Sequence, residues 1–337
     1  YFPYGTGNDR KQLMTDMLEN IKALLDSRSN IIGRNLILGV RVSETIDECL
    51  TMGLDVPTWI SKGIIDYVSP QESMHSSTNQ PVRQFADLIE GTNCGLYPAI
   101  QPWTSIRMRR RNGGSHITLE QQYAILNNYY GEGADGFSVY NHFVPIKTAP
   151  FYPMQLQDLL KLKEFKPGQK GFRRYTFDPM LHGQVGYGES KSATGAVKNN
   201  HVLIKRNGGK SGTYDFKVYE QFECVKKVAM WIRAFDMTVN DHFKIKINDN
   251  LISDDCIKII DDENLIDVRF IVDPDSKKAT GLPPVPDLPE KFCTLIIDAE
   301  KSIFKNGDNV LALELVKKDL GADGDILVDE IEVFVVI

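Results

Sequence analysis

The strongest constraint in this chain is a repeat. Between residues 35 and 142 one unit recurs: a short apolar run, a turn, then a helix-like pattern. The apolar runs fall at 35–42 (NLILGVRV), 64–70 (IIDYVSP), 94–102 (CGLYPAIQP) and 134–142 (ADGFSVYNH). The stretches between them are long enough for a crossover helix. Strands alternating with helices at this spacing form βα units and a parallel sheet. Four such units are half of an eight-stranded (β/α) barrel, where chemistry sits at the C-terminal ends of the strands. The residues at and just past the ends of the runs are then of interest: Arg41, Glu44, Gln71, Glu72, Gln101, Trp103, Asn141 and His142.

Local signals agree with that frame. Asn8-Asp9 suits a helix N-cap, and Leu13, Met17, Ile21 and Leu24 or Leu25 recur at helical spacing through 10–28. Ser43 is placed to cap a helix carrying Ile46, Cys49 and Leu50, closed by Gly53. A second short helix over 56–62 stops at Gly63, and Pro81 suits the first position of a helix running to Ile89. Thr118 and Gln121 have capping-box spacing at the head of a helix over 119–130. Residues 152–162 read as the helix behind the last strand.

From about residue 166 the character changes. Residues 166–212 are rich in Gly, Lys, Ser and Asn and read as linker and irregular loops. Beyond 213 short segments alternate with period two: 214–219, 226–233, 242–247, 265–271, 292–297, 309–315 and 331–336. Turn residues at Asn207-Gly208, Asn248-Asp249, Asn306-Gly307 and 322–324 punctuate them. This spacing predicts an antiparallel β-sandwich of the jelly-roll sort. The expected organisation is therefore α/β plus all-β: a TIM-type (β/α) barrel portion over 1–165, a linker over 166–212, and a β-sandwich over 213–337.

Composition narrows the function classes. Formal net charge is −6 over 337 residues, so the chain lacks the electrostatic footprint of a nucleic-acid binder. No run approaches the ~20 apolar residues that span a bilayer. The five cysteines are scattered, with no CxxC pair and no ligand-spaced histidine, which argues against structural zinc and leaves the compartment open. His75, His116, His182, His201 and His242 are dispersed, so no metal and no cofactor is expected. A calcium ion near Asp249, Asp254 and Asp255 or the 323–329 turn is the one arrangement the residues leave open. There is no G-x-S-x-G elbow, P-loop or HExxH. GQVGYG at 183–188 lacks the strand and helix a dinucleotide loop needs. The chain opens on YFPY without an initiator methionine, as a trimmed or mature N-terminus does.

Three pieces of the first half resemble the glycosyl-hydrolase-like barrel proteins of polysaccharide-degrading bacteria. They are Val40-Arg41-Val42-Ser43 followed by Cys49-Leu50 and 53–59 (GLDVPTW), Gly63-Ile64-Ile65-Asp66, and 133–136 (GADG) through Tyr140-Asn141-His142-Phe143. The resemblance covers about residues 1–145. It implies a carbohydrate substrate, carboxylate acid/base chemistry, and a secreted or periplasmic setting. It also implies that the first four strands precede this region, so that part of the site, including a carboxylate on the fourth strand, lies upstream of residue 1. A homo-oligomer or a partner chain is the other way to complete such a half-barrel. The C-terminal part resembles galactose-binding-like or jelly-roll accessory domains through 244–251 (KIKINDNL) and 307–315 (GDNVLALEL). A non-catalytic carbohydrate-binding or scaffold protein is the alternative function.

Glycoside hydrolysis uses two carboxyl groups flanking the scissile bond. The strand-end candidates are Glu44, which also suits the first turn of a helix, and Glu72, which also suits a solvated loop. Asp66 and Asp135 sit at strand starts, the stability face of a barrel. Arg41 ends an apolar strand and must pair or face the pocket mouth. Tyr97, Gln101, Trp103, Asn141 and His142 offer rings and amides that suit a sugar, and packing or loop capping equally. Arg109 lies in the basic tract 107–111, which could grip sulfate or uronate groups or simply be a solvated loop or a subunit contact.

Overall fold

The computed structural model describes residues 6–71, 76–101, 117–140, 156–177, 179, 202–209, 211–261, 270–272, 279–281 and 292–337. Helix α1 (Gly7–Ile32) ends at Gly33, whose φ of 65° takes the left-handed C-cap. Its inward stripe differs from the one expected. Met14, Leu18 and Ile21 face the core, and the indole of the buried Trp59 donates to Thr15 Oγ1 at 2.9 Å. Leu13, Met17 and Leu24 instead point to solvent with Ile31. The sequence carries two apolar stripes, and the core takes the one centred on Leu18.

The parallel part follows in order: β1 (Gly39–Ser43), α2 (Ile46–Thr51), α3 (Val56–Ser61), β2 (Tyr67–Gln71), α4 (Arg83–Ile89), β3 (Gly95–Leu96), β4 (Ala99–Ile100), α5 (Leu119–Gly131), β5 (Ser138–Val139) and α6 (Leu156–Glu164). Strand β1 pairs with β2 and β2 with β3, all parallel; past Tyr97-Pro98 the line continues as β4 paired with β5. Pro98 has no N–H to give a ladder. Two aspartates pin the strand entries. Asp66 Oδ2 accepts from Leu38 N at 2.6 Å, and Asp135 Oδ2 from Leu96 N at 2.9 Å. Thr45, rather than Ser43, caps α2 by accepting from Glu48 N, and Thr118 with Gln121 completes the capping box of α5. The helices and the inner sheet face share one apolar core containing Val42, Val68, Leu96 and Ile100. Among the described residues this sheet does not close into a barrel.

The C-terminal part is sheet-rich and antiparallel. Its strands are β6 (Phe172–Phe177), β7 (Leu203–Ile204), β8 (Ser211–Val218), β9 (Lys227–Phe235), β10 (His242–Ile247), β11 (Asn250–Leu251), β12 (Ile257–Asp261), β13 (Phe270–Val272), β14 (Ala279–Gly281), β15 (Phe292–Ala299), β16 (Gly307–Lys317) and β17 (Ile326–Val336). One sheet runs β11-β10-β16-β8 and the other β12-β15-β9-β17-β6, with β7 also on β17. Alternating residues of both sheets fill a second core, to which β16 contributes Leu311, Leu313 and Leu315. The 166–212 stretch is not all linker: β6 lies within it and pairs with β17 from Ile331↔Phe177 to Val336↔Phe172. All five cysteines are free, and burial pushes the Cys49 thiol up to about 12, which leaves it inert at neutral pH.

Polar groups join the two parts. Strand β8 is an edge strand, and its open side meets two asparagine side chains. Asn79 Nδ2 donates to Asp215 O at 2.8 Å while Asn79 Oδ1 accepts from Lys217 N at 2.9 Å. Asn128 Nδ2 donates to Lys217 O at 2.8 Å and to Thr78 O at 2.9 Å; Asn128 Oδ1 accepts from Tyr219 N at 3.0 Å. On the other edge strand, β6, Thr176 O accepts from Thr78 Oγ1 at 2.6 Å. Lys217 also pairs with the buried Glu132.

Within the sandwich, Arg206 is fully buried against Asp241. Burial alone would raise the Asp241 carboxyl, but Arg206 and the Asp319 and Thr238 N–H groups overcome that and hold it below the usual aspartate range. A lowered folded value stabilises above the unfolded value of about 3.9, and that stabilisation is lost as pH falls through the folded value. Asp241→Asn should therefore flatten the acid limb of stability against pH in urea unfolding. An unchanged acid limb would remove Asp241 from that role. Asn128→Ala should lower unfolding free energy by about 2–4 kcal/mol, because it strands buried backbone groups. A loss under about 1 kcal/mol would mean that water takes over those partners.

Candidate functional site

Side chains alternate across a strand, so burying Val42 and Val68 beneath the helices turns Arg41 and Ser69 to the opposite face. Arg41 stands opposite Ser69 in the β1–β2 register. On that face the Arg41 guanidinium carbon lies 4.0 Å from the centre of the Tyr140 ring, a cation–π distance. Ser69 Oγ and Ser138 Oγ are 2.8 Å apart across the sheet. Tyr67 and Tyr97 meet edge to face with centroids 5.7 Å apart. Gly39 makes room for this: a Cβ there would fall 1.9 Å from the Tyr67 ring. Arg41, Tyr97 and Tyr140 are exposed. The open face thus carries a cation, two exposed phenol rings and the half-buried Tyr67; the Ser69 hydroxyl is buried against Ser138, with Ser69 only 3% exposed.

At the C-terminal ends of these strands lies a buried polar shell. Glu44 is 7% exposed, Gln71 8%, Gln80 2% and Gln101 1%. Gln101 N donates to Ser76 Oγ at 2.6 Å, and Ser76 Oγ donates back to Gln101 O at 3.1 Å. Gln80 Nε2 donates to Pro70 O at 2.9 Å. Tyr129, from α5, donates to Gln80 Oε1 at 3.1 Å and is 3.2 Å from Ala99 O. Burial pushes the Tyr129 hydroxyl well up, and the Glu44 and Glu132 carboxylates push it further. Gln71 Oε1 is buried with no hydrogen-bond partner among the described residues. Glu44 precedes the Thr45 cap, so it stands outside the first turn of α2 and belongs to this shell. The shell offers one buried carboxylate, whose charge acts on the Tyr129 hydroxyl, together with buried amides, a set of groups that can orient a hydroxyl.

The structure brings Arg41 and Tyr97 to one face and puts Glu44 and Gln101 beneath its upper edge. Glu72, Trp103, Arg109, Asn141 and His142 lie outside the described residues, as does the 107–111 tract. Sequence reasoning missed Tyr67, Ser69, Ser138 and Tyr140 on the face, and Gln80 and Tyr129 in the shell. The signal was there for the first two: Tyr67, Ser69 and Gln71 alternate with Val68 and Pro70, a pattern hidden by reading 64–70 as one apolar run. Nothing local marks Tyr129, which reaches the shell from a helix. Among the described residues no group of three or more His, Cys, Asp or Glu is placed to hold a metal ion, and no helix is long and apolar enough to cross a membrane.

No protein-family model matches this chain, and no curated protein matches it. Among solved structures, a family 35 carbohydrate binding module from an environmental isolate aligns over 50% of this chain and 90% of its own. The identity is 18% and the TM-score 0.21. A β-porphyranase of glycoside hydrolase family 86 from the human gut bacterium Bacteroides plebeius aligns over 98% of this chain and 74% of its own, at 11% identity and a TM-score of 0.27. BuGH86 in complex with neoagarooctaose aligns over 95% and 68%, at 10% identity and a TM-score of 0.25. By their own descriptions these proteins bind or act on carbohydrate; at such TM-scores the superpositions carry no argument about this chain.

Proposed function

We propose that the chain handles carbohydrate, as a glycoside-hydrolase-like protein acting on a polysaccharide at the C-terminal end of the open face of its parallel sheet, where Arg41 and Tyr140 lie. The observation that carries this reading is the Arg41–Tyr140 pair beside Tyr67 and Tyr97. Rings take the apolar C–H faces of a sugar, and the guanidinium takes its oxygens. An exposed arginine also suits an anionic glycan, since guanidinium binds sulfate or uronate groups in bidentate fashion.

In this reading Glu44 supplies one member of the carboxyl pair that glycoside hydrolysis uses. Glu72, or a part of the barrel outside this chain, supplies the other. The four parallel strands are then the last units of a (β/α)8 barrel. The outer edge of β1 and the exposed stripe Leu13, Met17, Leu24 and Ile31 are where earlier units or a second copy would pack. The second reading is a non-catalytic carbohydrate-binding or scaffold protein. It is favoured by Glu44 being the one carboxylate directly after a parallel strand among the described residues.

Glu44→Gln separates the two. For an enzyme, turnover on a panel of neutral and sulfated polysaccharides should fall about 10²–10⁴-fold with binding retained. Unchanged turnover in Glu44→Gln and in Glu72→Gln would move the chemistry off these residues. Arg41→Ala should weaken polysaccharide binding under either reading, and an unaltered affinity would sink the sheet-face site itself. For barrel completion, the chain alone should self-associate or bind an apolar-surface dye such as ANS. A dye-silent monomer with one cooperative melt would count against it.

A further inference from the structure

A concave site separate from the sheet face lies on the last turn of α5, the same turn that sends Tyr129 into the strand-end shell. Helix α5 starts beside the C-terminal strand ends and finishes where the chain turns into β5. There a cleft of about 170 Å³ forms between the last turn of α5, the 167–168 turn, the loop after β8 and Asn306. The Tyr130 and Tyr219 side chains line it, and no side chain fills it from Gly131, where a Cβ would fall 2.2 Å from the Tyr219 ring. Gln221 and Asn306 form an exposed amide rim.

The same cleft is lined by Asn127 and Glu220, each 2% exposed. Glu220 Oε1 accepts from Tyr175 Oη at 2.8 Å and lies 3.8 Å from Arg173 Nε. Asn127 Nδ2 donates to Tyr219 O and is 3.2 Å from Tyr175 Oη. That leaves Asn127 Oδ1 and Glu220 Oε2, both buried and both without a hydrogen-bond partner among the described residues. Two adjacent lining residues thus carry acceptors that lack donors, which is unusual for buried polar atoms.

The missing partner is a donor, and charge restricts its kind. Arg173 already stands beside Glu220, so an added cation is not called for, and no cationic side chain lines the cleft to receive an anion. Rings, amides and undonated oxygens together fit a neutral polyhydroxylated ligand. The volume is below the ~300 Å³ at which pockets for drug-sized ligands begin, which fits one ring rather than a chain. We propose that this cleft binds a single neutral pyranose residue, with its face on Tyr130 or Tyr219, its rim hydroxyls on Gln221 and Asn306, and an inner hydroxyl donating toward Asn127 and Glu220. This inference stands apart from the sheet-face reading and shares no residue with it.

The test is saturation-transfer NMR on the full chain with methyl glycosides of galactose, glucose and mannose. Glucuronate and tetramethylammonium serve as charged probes. At least one neutral glycoside should bind saturably and in preference to both charged probes. The Gln221→Ala/Asn306→Ala double variant changes two exposed side chains and should keep the parent melting temperature. It should weaken that binding about tenfold or more, whereas Arg41→Ala should leave it unchanged. No saturable binding by any neutral glycoside, preference for a charged probe, an unmoved affinity in the folded double variant, or loss of binding in Arg41→Ala would each overturn the proposal.

Discussion

The structure depends on two asparagine amides that take the place of a missing β-strand. An edge strand exposes unpaired N–H and C=O groups, and natural sheets cover, charge or shorten such edges. Here the edge is β8, and the groups it presents at Asp215, Lys217 and Tyr219 are met by Asn79 and Asn128. A primary amide carries a donor and an acceptor side by side, as a peptide group does. Each asparagine therefore satisfies one N–H and one C=O along β8 and the residue that follows it, at the places where a neighbouring strand would have bonded. Because both asparagines belong to the parallel part, edge protection and the joining of the two parts are one device. Directional bonds fix orientation more sharply than an apolar contact of the same area.

Much of the βα order was legible because its signals are local. Thr118 and Gln121 announce a capping box by spacing alone, and both halves of it form. Asp66 and Asp135 were read as strand-entry residues, and each accepts from the backbone of the preceding strand. What was illegible depended on partners far along the chain. FRRYTF at 172–177 lacks a clean alternation, since it buries Arg173 and Thr176 along with Tyr175 and Phe177, and its partner is the last strand of the protein. Helix α1 shows a different failure: two apolar stripes compete, and periodicity cannot say which one meets Trp59. The Asn79 and Asn128 bonds leave no sequence signature, since an isolated Asn reads as a turn or cap residue.

The candidate site was half visible for a related reason. Strand ends are easy to locate, so Arg41, Glu44 and Gln101 could be named. Which of them face water is a matter of pleat and of what packs above. Glu44 and Gln101 end up in a shell sealed by Gln80 and Tyr129, while Arg41 reaches across two strands to Tyr140. The result separates two kinds of group by depth. The cation and the exposed rings lie on the open face, and the buried carboxylate and amides lie beneath its upper edge.

Accessory sandwiches are often treated as interchangeable modules that can be cut out and joined to other proteins. The amide seam makes this one different. One edge strand of each sheet, β8 and β6, is met by residues 78, 79 and 128 of the parallel part. A boundary drawn at the last helix before β6 would deliver a sandwich with raw edges on both sheets. In evolutionary terms the two parts are bound to travel together, and a recombination between them would have to bring its own Asn79 and Asn128.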